Sequence, residues 1–371
     1  MKKENKRILL VGNYLPDMQK SMNAYVATLN EGLKEAGWTP TILRPKKVLL
    51  LDIIKNPALR KWIAYIDKYI IFSLYLFFKS WQFKHVCICD HSNAIYVSFS
   101  GKVKTIVICH DVIAIQAARG LIEGWRVGRT GRKLQQLILD GLRKAKKVVC
   151  VSNLTRTDLI ELAPELVSKA VVISNPLNFP YSPDTNWKET LGKTDFNKRL
   201  PEKYLIHVGS DLPRKNRLFI LRTLVELKNI RFLDTLKVLF VGPGPNQAMT
   251  DFIHQNDLLN DVVFFSNVDS VQLQAFYSGA AFMLFPSLNE GFGWPVIEAQ
   301  ACGCPVFASN IQPMPEVGGG AAMYIDPRDP QNTAKAISEA DLSEMRKSGL
   351  ENAKRFELPE MISQFAHALE T

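Results

Sequence analysis

Glu290 and Glu298 stand eight positions apart in the run EGFGWPVIEAQACG, and the residues between them suit the capture of an anion that carries hydroxyl groups. Pro295 fits the first position of a helix and Gly303 the position just past its end. Gly291 and Gly293, interleaved with Phe292 and Trp294, put no side chain in front of the helix N-terminus. Its free N–H groups and the positive end of its dipole can therefore receive a phosphate. A carboxylate accepts hydrogen bonds from ribose and sugar hydroxyls, so Glu290 before the helix and Glu298, placed in its first turn, could fix a polyol at two depths. A two-carboxylate hydrolase would instead need an acid and a base or nucleophile flanking one scissile bond. The plainer role for Glu298 is stabilisation of the helix N-terminus, worth ~0.3–1 kcal/mol.

A second cluster points the same way. Arg214, Lys215 and Arg217 surround Asn216, an expected N-cap, shortly after the strand and turn LIHVG that ends at Gly209. Each cation at the positive end of a helix costs ~0.3–1 kcal/mol, and an anionic ligand reverses that sign. The Gly242-Pro243-Gly244 turn follows the next strand in the same manner. His110 and Asp111 end an earlier strand, a position from which doubly wound sheets present ligand-binding groups. His91 is a weaker candidate of the same kind, while His85, His207, His254 and His367 have no local constellation. The six cysteines include two Cys-x-Cys pairs, Cys87/Cys89 and Cys302/Cys304, but they lie in apolar runs without metal-ligand company. They read as reduced core residues of an intracellular chain.

The elements that must carry these residues alternate. Apolar runs at 8–12, 41–43, 86–89, 105–109, 147–151 and 170–173 are separated by helical patterns, and a second series runs through 204–208, 237–241, 262–265, 281–285 and 305–308. Between the first two strands Ser21 is the expected cap of a helix with Met22, Val26, Leu29 and Leu33 on one face and Gly37 after its end. Such alternation argues for parallel sheets with crossover helices. The expected fold class is α/β, with two Rossmann-like doubly wound domains. The first spans 1–180, a polar, weakly periodic linker spans 181–202, and the second domain spans 203–354. A final helix at about 355–371 is able to pack back on the first domain.

A chain of 371 residues with 47% hydrophobic and 22% charged residues can fill two such cores, which excludes disorder as its main state. Its net charge of +10 is uneven. Residues 1–180 hold 28 Lys+Arg against 13 Asp+Glu, and residues 181–371 hold 18 against 23. A basic half can attract nucleic acid, an anionic membrane or a phosphorylated substrate. No nucleic-acid reading module is recognisable, so nucleic acid is not an expected partner. The opening residues lack a secretory signal, and the longest apolar run, Tyr69 to Phe78, is about half of the ~20 residues needed to span a bilayer. Trp62, Tyr65, Tyr69, Phe72 and Leu76 recur at helical spacing among Lys46, Lys47, Lys55, Arg60, Lys61, Lys68, Lys79 and Lys84. The stripe reads either as core-facing or as a peripheral contact with an anionic membrane.

At the residues above, the chain resembles the family 4 retaining glycosyltransferases of the GT-B fold. The Glu-x7-Glu signature of that family is matched by Glu290 and Glu298, its phosphate lysine by Lys215 in VGSDLPRKN, and its strand-end histidine by His110 in CHDV. The segments VSNLTRTDL and Ser174-Asn175-Pro176 are similar to family landmarks. Two positions depart from the pattern: no glycine pair occurs at 17–22, and Ser210 stands where an arginine is usual, leaving Arg214 to supply that charge. The resemblance implies metal-independent transfer of a hexose, with retention, from a GDP- or UDP-linked sugar to a hydroxyl of a glycan or lipid-linked acceptor. It assigns Lys215 and Arg214 to the leaving diphosphate, together with the backbone at Gly209 and from Gly291 through Phe292 and Gly293 to Trp294. Glu298 falls to the ribose, and Glu290 and His110 to the sugar. It implies no cofactor and a place in the cytoplasm, peripheral to the inner face of the plasma membrane. A Rossmann oxidoreductase would need Gly-x-Gly-x-x-Gly after the first strand, where Gly12-Asn-Tyr-Leu-Pro stands. The alternative reading is a nucleotide-sugar-binding or membrane-associated interaction protein with little turnover.

Overall fold

The computed structural model describes residues 6–17, 19–48, 63–101, 103–232 and 235–371. They form two compact units, Met1–Asn178 with Leu358–Thr371, and Phe179–Glu357.

The first unit is built on six parallel strands: β1 (Arg7–Val11), β2 (Thr39–Leu43), β3 (His85–Ile88), β4 (Lys104–Cys109), β5 (Lys147–Cys150) and β6 (Ala170–Val172). Their order is β2-β1-β3-β4-β5-β6. Leu9, Val11, Val86, Ile88, Val107 and Val148 are buried in one core cluster, as parallel strands covered by helices require. The first crossover helix is Lys20–Glu35, two residues longer at its start than Ser21 as cap would allow. Gln19 takes the N-cap position, its carbonyl accepting from Asn23 N–H, while its side chain accepts from Asn13 Nδ2 and makes no capping bond. Val26, Leu29 and Leu33 are buried as their spacing predicts.

Residues 63–80 are helical, with a π turn at Asp67–Ile71. Trp62, Lys55, Arg60 and Lys61 lie outside the described residues. Of the apolar stripe, Phe72 and Leu76 are fully in the core and Tyr69 packs against it, with the Phe72 ring 5.0 Å from that of Tyr96. The stripe from Tyr69 to Leu76 therefore faces the core. No helix among the described residues is long and apolar enough to cross one.

The second unit repeats the plan with β7 (Tyr204–Val208), β8 (Lys237–Val241), β9 (Val262–Phe265), β10 (Phe282–Phe285), β11 (Val306–Ser309) and β12 (Ala322–Ile325), in the order β12-β11-β10-β7-β8-β9. The edge strand β12 has no counterpart among the expected strands, since three of its four residues are only partly buried. The stretch 181–202 is not a free linker. It carries the helix Trp187–Gly192 with Leu191 buried, and Ser182 and Asp184 donate backbone N–H groups to Gln274 and Ser278 of the helix Ser270–Gly279. Its polar composition is that of a segment lying on the surface of its own unit. Residues 358–371, by contrast, belong with the first unit: the helix Leu358–Glu370 buries Met361, Ile362, Phe365 and Leu369. Gly32 makes room for it, since a Cβ there would fall 2.6 Å from Ile362 Cγ1.

Candidate active site

In the second sheet β7 and β10 are neighbours, so the turns that leave their carboxyl ends meet. Leu288 N–H bonds to the Arg214 carbonyl at 2.8 Å, fixing the turn Pro213–Lys215 against the loop 286–290. Between them lies Glu290. Lys215 Nζ donates to its Oε1 at 2.5 Å, Ser287 Oγ to the same oxygen at 2.7 Å, and Arg214 Nη1 to Oε2 at 2.9 Å. Arg214 also holds the Asn289 carbonyl at 2.9 Å. Glu290 and Lys215 are both buried. Burial pushes the Glu290 carboxyl up, but Lys215 and then Arg214 outweigh it, and its pKa lies below the ordinary glutamate value. Desolvating such a cluster is costly, so its net contribution to stability is small for so many charges, and it makes this loop a candidate site.

His207 stands behind this cluster. Its Nδ1 donates to the Leu284 carbonyl at 3.1 Å, and burial, with Lys215 and Arg217 adding to it, pushes its pKa down to about 3. The ring is neutral, so His207 adds no further positive charge behind Lys215 and Arg214. Gly209 is needed at the strand end because a Cβ would sit 2.9 Å from His207 Nε2. A Cβ on Gly242 would meet the Gly209 carbonyl at 2.1 Å, so the two strand ends touch through backbone alone.

Asn216 starts the next helix, Arg217–Asn229, in the left-handed region at φ 52°. Its amide does not cap that helix; it bonds to the Pro286 and Pro327 carbonyls. Arg217 departs from the expected trio of cations. It turns back to the Pro243 and Gly244 carbonyls at 2.7 and 3.2 Å and lies over the Phe240 and Phe264 rings, so it braces the 242–244 turn.

The helix Trp294–Ala301 begins at Gly293, whose φ of 107° only glycine adopts readily. Pro295 is at its second position, one later than expected. Glu298 consequently falls in the second turn, where it is buried and accepts the Tyr277 hydroxyl at 3.1 Å. Phe292 is buried, with its ring 5.8 Å from Phe356, so at this position the side chain packs inward and the backbone is what could meet a ligand. Gly303 closes the helix at φ 70°.

In the first unit His110 follows β4 directly. A carbonyl can only accept, so its Nε2 carries a proton to Cys89 O at 3.0 Å, and the ring is edge-on to Tyr25. Burial holds its pKa below the ordinary histidine value. Beside it Asp90 accepts from Asn13 Nδ2 at 2.6 Å and from Ser92 N–H at 2.8 Å, and Asn93 donates to Asn13. His91 sits 3.5 Å from Asp90 and 3.9 Å from Asp111. Burial raises the Asp90 pKa, but His91, His110 and the two hydrogen bonds lower it further. Tyr277, Ser287 and the Asn13–Asp90 pair escape the sequence reading, in which His207 is named but has no local constellation. Tyr277 meets Glu298 across 21 positions, His207 meets Leu284 across 77 and Asn13 meets Asp90 across 77; Ser287, three residues from Glu290, is legible as a neighbour only once the loop is known to curl.

Two six-stranded parallel sheets of this topology define the GT-B fold. Sucrose-phosphate synthase from Thermosynechococcus elongatus superposes with a TM-score of 0.72 at 19% identity over 98% of both chains. The Anabaena protein HepE, solved in complex with UDP and glucose, does so at 0.73 and 13% identity, over 99% of this chain and 100% of its own. Residues 191–356, within the second unit, match the profile of the family described as Glycosyl transferases group 1. The chain is 27% identical over 232 residues to the O-antigen chain mannosyltransferase RfbU of Salmonella typhimurium, covering 62% of this chain and 56% of that protein. It is 25% identical over 203 residues to the O-antigen chain mannosyltransferase B of Escherichia coli, covering 53% and 52%. The chain thus matches about half the length of these relatives.

Proposed function

We propose that the protein is a retaining glycosyltransferase that moves a hexose from a nucleotide diphosphate sugar to a hydroxyl of a glycan or lipid-linked acceptor in cell-surface polysaccharide synthesis. The observation that carries this reading is the Lys215–Glu290–Arg214 cluster at the carboxyl ends of β7 and β10, beside the glycine-led helix Trp294–Ala301. A departing diphosphate needs positive charge that strengthens as the bond breaks. Lys215, Arg214 and the helix N-terminus supply it without a metal ion. Glu298, oriented by Tyr277, accepts from the ribose hydroxyls, while Glu290 and His110 position the sugar. The retained configuration follows from the family reading, in which the departing phosphate takes the acceptor proton on the same face. Relatives named as mannosyltransferases favour mannose and hence a GDP donor. The fold neighbour solved with UDP and glucose keeps UDP in consideration. The cytoplasmic side of a membrane, where lipid-linked acceptors are elongated, is the proposed location.

Thermal shift against GDP, UDP, ADP and TDP, followed by release of free nucleotide from the matching sugar donor, tests the proposal. One diphosphate at 100 times its dissociation constant should stabilise the second unit by about 2.7 kcal/mol. The donor assignment falls if millimolar diphosphate of every base leaves the melting curve unmoved. Binding without any nucleotide release would favour an interaction protein.

A further inference from the structure

Helix 63–80 has a second apolar face. Ile66, Ile70, Leu74 and Phe78 recur every four residues on the side away from the core, and Tyr75 and Trp81 extend them. Leu74 is 57% exposed, Phe78 68% and Trp81 67%. At 1.5 Å per residue this ridge is about 22 Å long. It starts beside Lys68, which pairs with Asp17 near the carboxyl end of β1, and descends to the amino end of the sheet. A contiguous exposed strip of this kind marks an interaction surface.

Where the ridge ends, an open cavity of about 1020 Å³ lies between Phe77, Trp81 and Trp38 and the lysines Lys6, Lys84 and Lys104. Glu370, paired with Lys6, is the one carboxylate among its described lining residues. His85, also on its wall, has a lowered pKa, first through burial and then through Lys104 and Lys84. Lys146 sits against Lys104 and is likewise lowered, chiefly by that contact. Positive charge is thus crowded beside exposed aromatic side chains, an arrangement that an anionic partner would relieve.

We infer that this ridge and cavity seat the protein on an anionic lipid bilayer, the ridge entering the boundary between headgroups and acyl chains and Lys84 and Lys104 meeting lipid phosphates. The charge distribution selects this occupant. A two-fold interface between copies brings the same patch together from both sides, and here that would oppose lysine to lysine. The inference rests on the proposed membrane-side acceptor and adds the surface that contacts the membrane. The contact face is not the stripe singled out in the sequence, whose Tyr69, Phe72 and Leu76 turn to the core on the other face of the same helix.

The test is co-sedimentation of the full chain with phosphatidylcholine vesicles, with and without phosphatidylglycerol, at low and high salt. Binding should require the anionic lipid and weaken with salt. Leu74→Ser with Phe78→Ser should reduce partitioning about tenfold or more. Lys84→Glu with Lys104→Glu should remove the salt-sensitive part. All these positions are on the surface, and unchanged melting temperatures would show that the variants fold. Brominated lipid should quench the total tryptophan fluorescence of the wild type, and that of Trp81→Phe less. Vesicle binding by the ridge variants equal to wild type overturns the inference, as does a wild type that stays in the supernatant with anionic vesicles at low salt. A lipid-free dimer that Leu74→Ser with Phe78→Ser converts to monomer would show a subunit interface instead. Nucleotide release from the donor should be the same in ridge variants and wild type. Its absence in a wild type that still binds vesicles would sink the transferase reading and leave the docking surface intact.

Discussion

Glu290 holds two cations at once, and a diphosphate bound as proposed would take the same two. Replacing its charge therefore separates two roles that the cluster combines. Glu290→Gln should leave the affinity for free nucleoside diphosphate unchanged or raise it a few-fold, because Lys215 and Arg214 lose a competitor, while sugar transfer falls. Lys215→Ala should weaken the diphosphate about tenfold or more, since a charge-assisted bond is worth roughly 1.5–3 kcal/mol. Calorimetric titration of both variants decides it, and equal losses would show the division of roles to be wrong. Acid should erase the structural part of the difference. The Glu290 pKa is lowered on folding, so its ion pairs stabilise the fold above the ordinary glutamate value, and that stability is lost as pH falls through the lowered value. The gap in melting temperature between wild type and Glu290→Gln should be full at neutral pH and close as the pH drops below about 4.

At the scale of elements, the helix Trp294–Ala301 depends on one residue before it. A side chain on Gly293 would be held at φ 107° and would meet Met314 Cε at 2.5 Å. Gly293→Ala should cost about 1–3 kcal/mol in backbone strain alone, seen as a melting temperature several degrees lower. Where the helix survives, nucleotide binding should suffer through the displaced N-terminus. This helix was legible because glycine, proline and the closing Gly303 punctuate it locally, and the buried strands because parallel strands read as unbroken apolar runs. The pairing of Lys215 with Glu290 was not, since the sequence showed both groups but not that one neutralises the other across 75 positions. Tyr277 was hidden for the same reason. Helix 63–80 shows a different limit. Its periodicity was correct, but both of its faces are apolar, and spacing alone cannot say which of two apolar faces turns inward.

At the scale of the molecule, the chain leaves the first unit after Asn178, builds the second, and returns at Leu358. Phe365 and Leu369 on the returning helix are buried. Phe365→Ala should cost the first unit about 3–5 kcal/mol. Scanning calorimetry should show one transition moving down while the transition raised by nucleoside diphosphate keeps its position. A fall of both together would mean that the two units melt as one. The return also sets a schedule. On the ribosome the six strands of the first sheet emerge early, yet Gly32 and its neighbours wait for Ile362 until the whole of Phe179–Glu357 has been made. At about 5–20 residues per second that wait is on the order of 10–30 seconds. The half proposed to bind the nucleotide can be finished while the half before it still exposes an uncovered helix face, which makes the earlier-made unit the later-completed one.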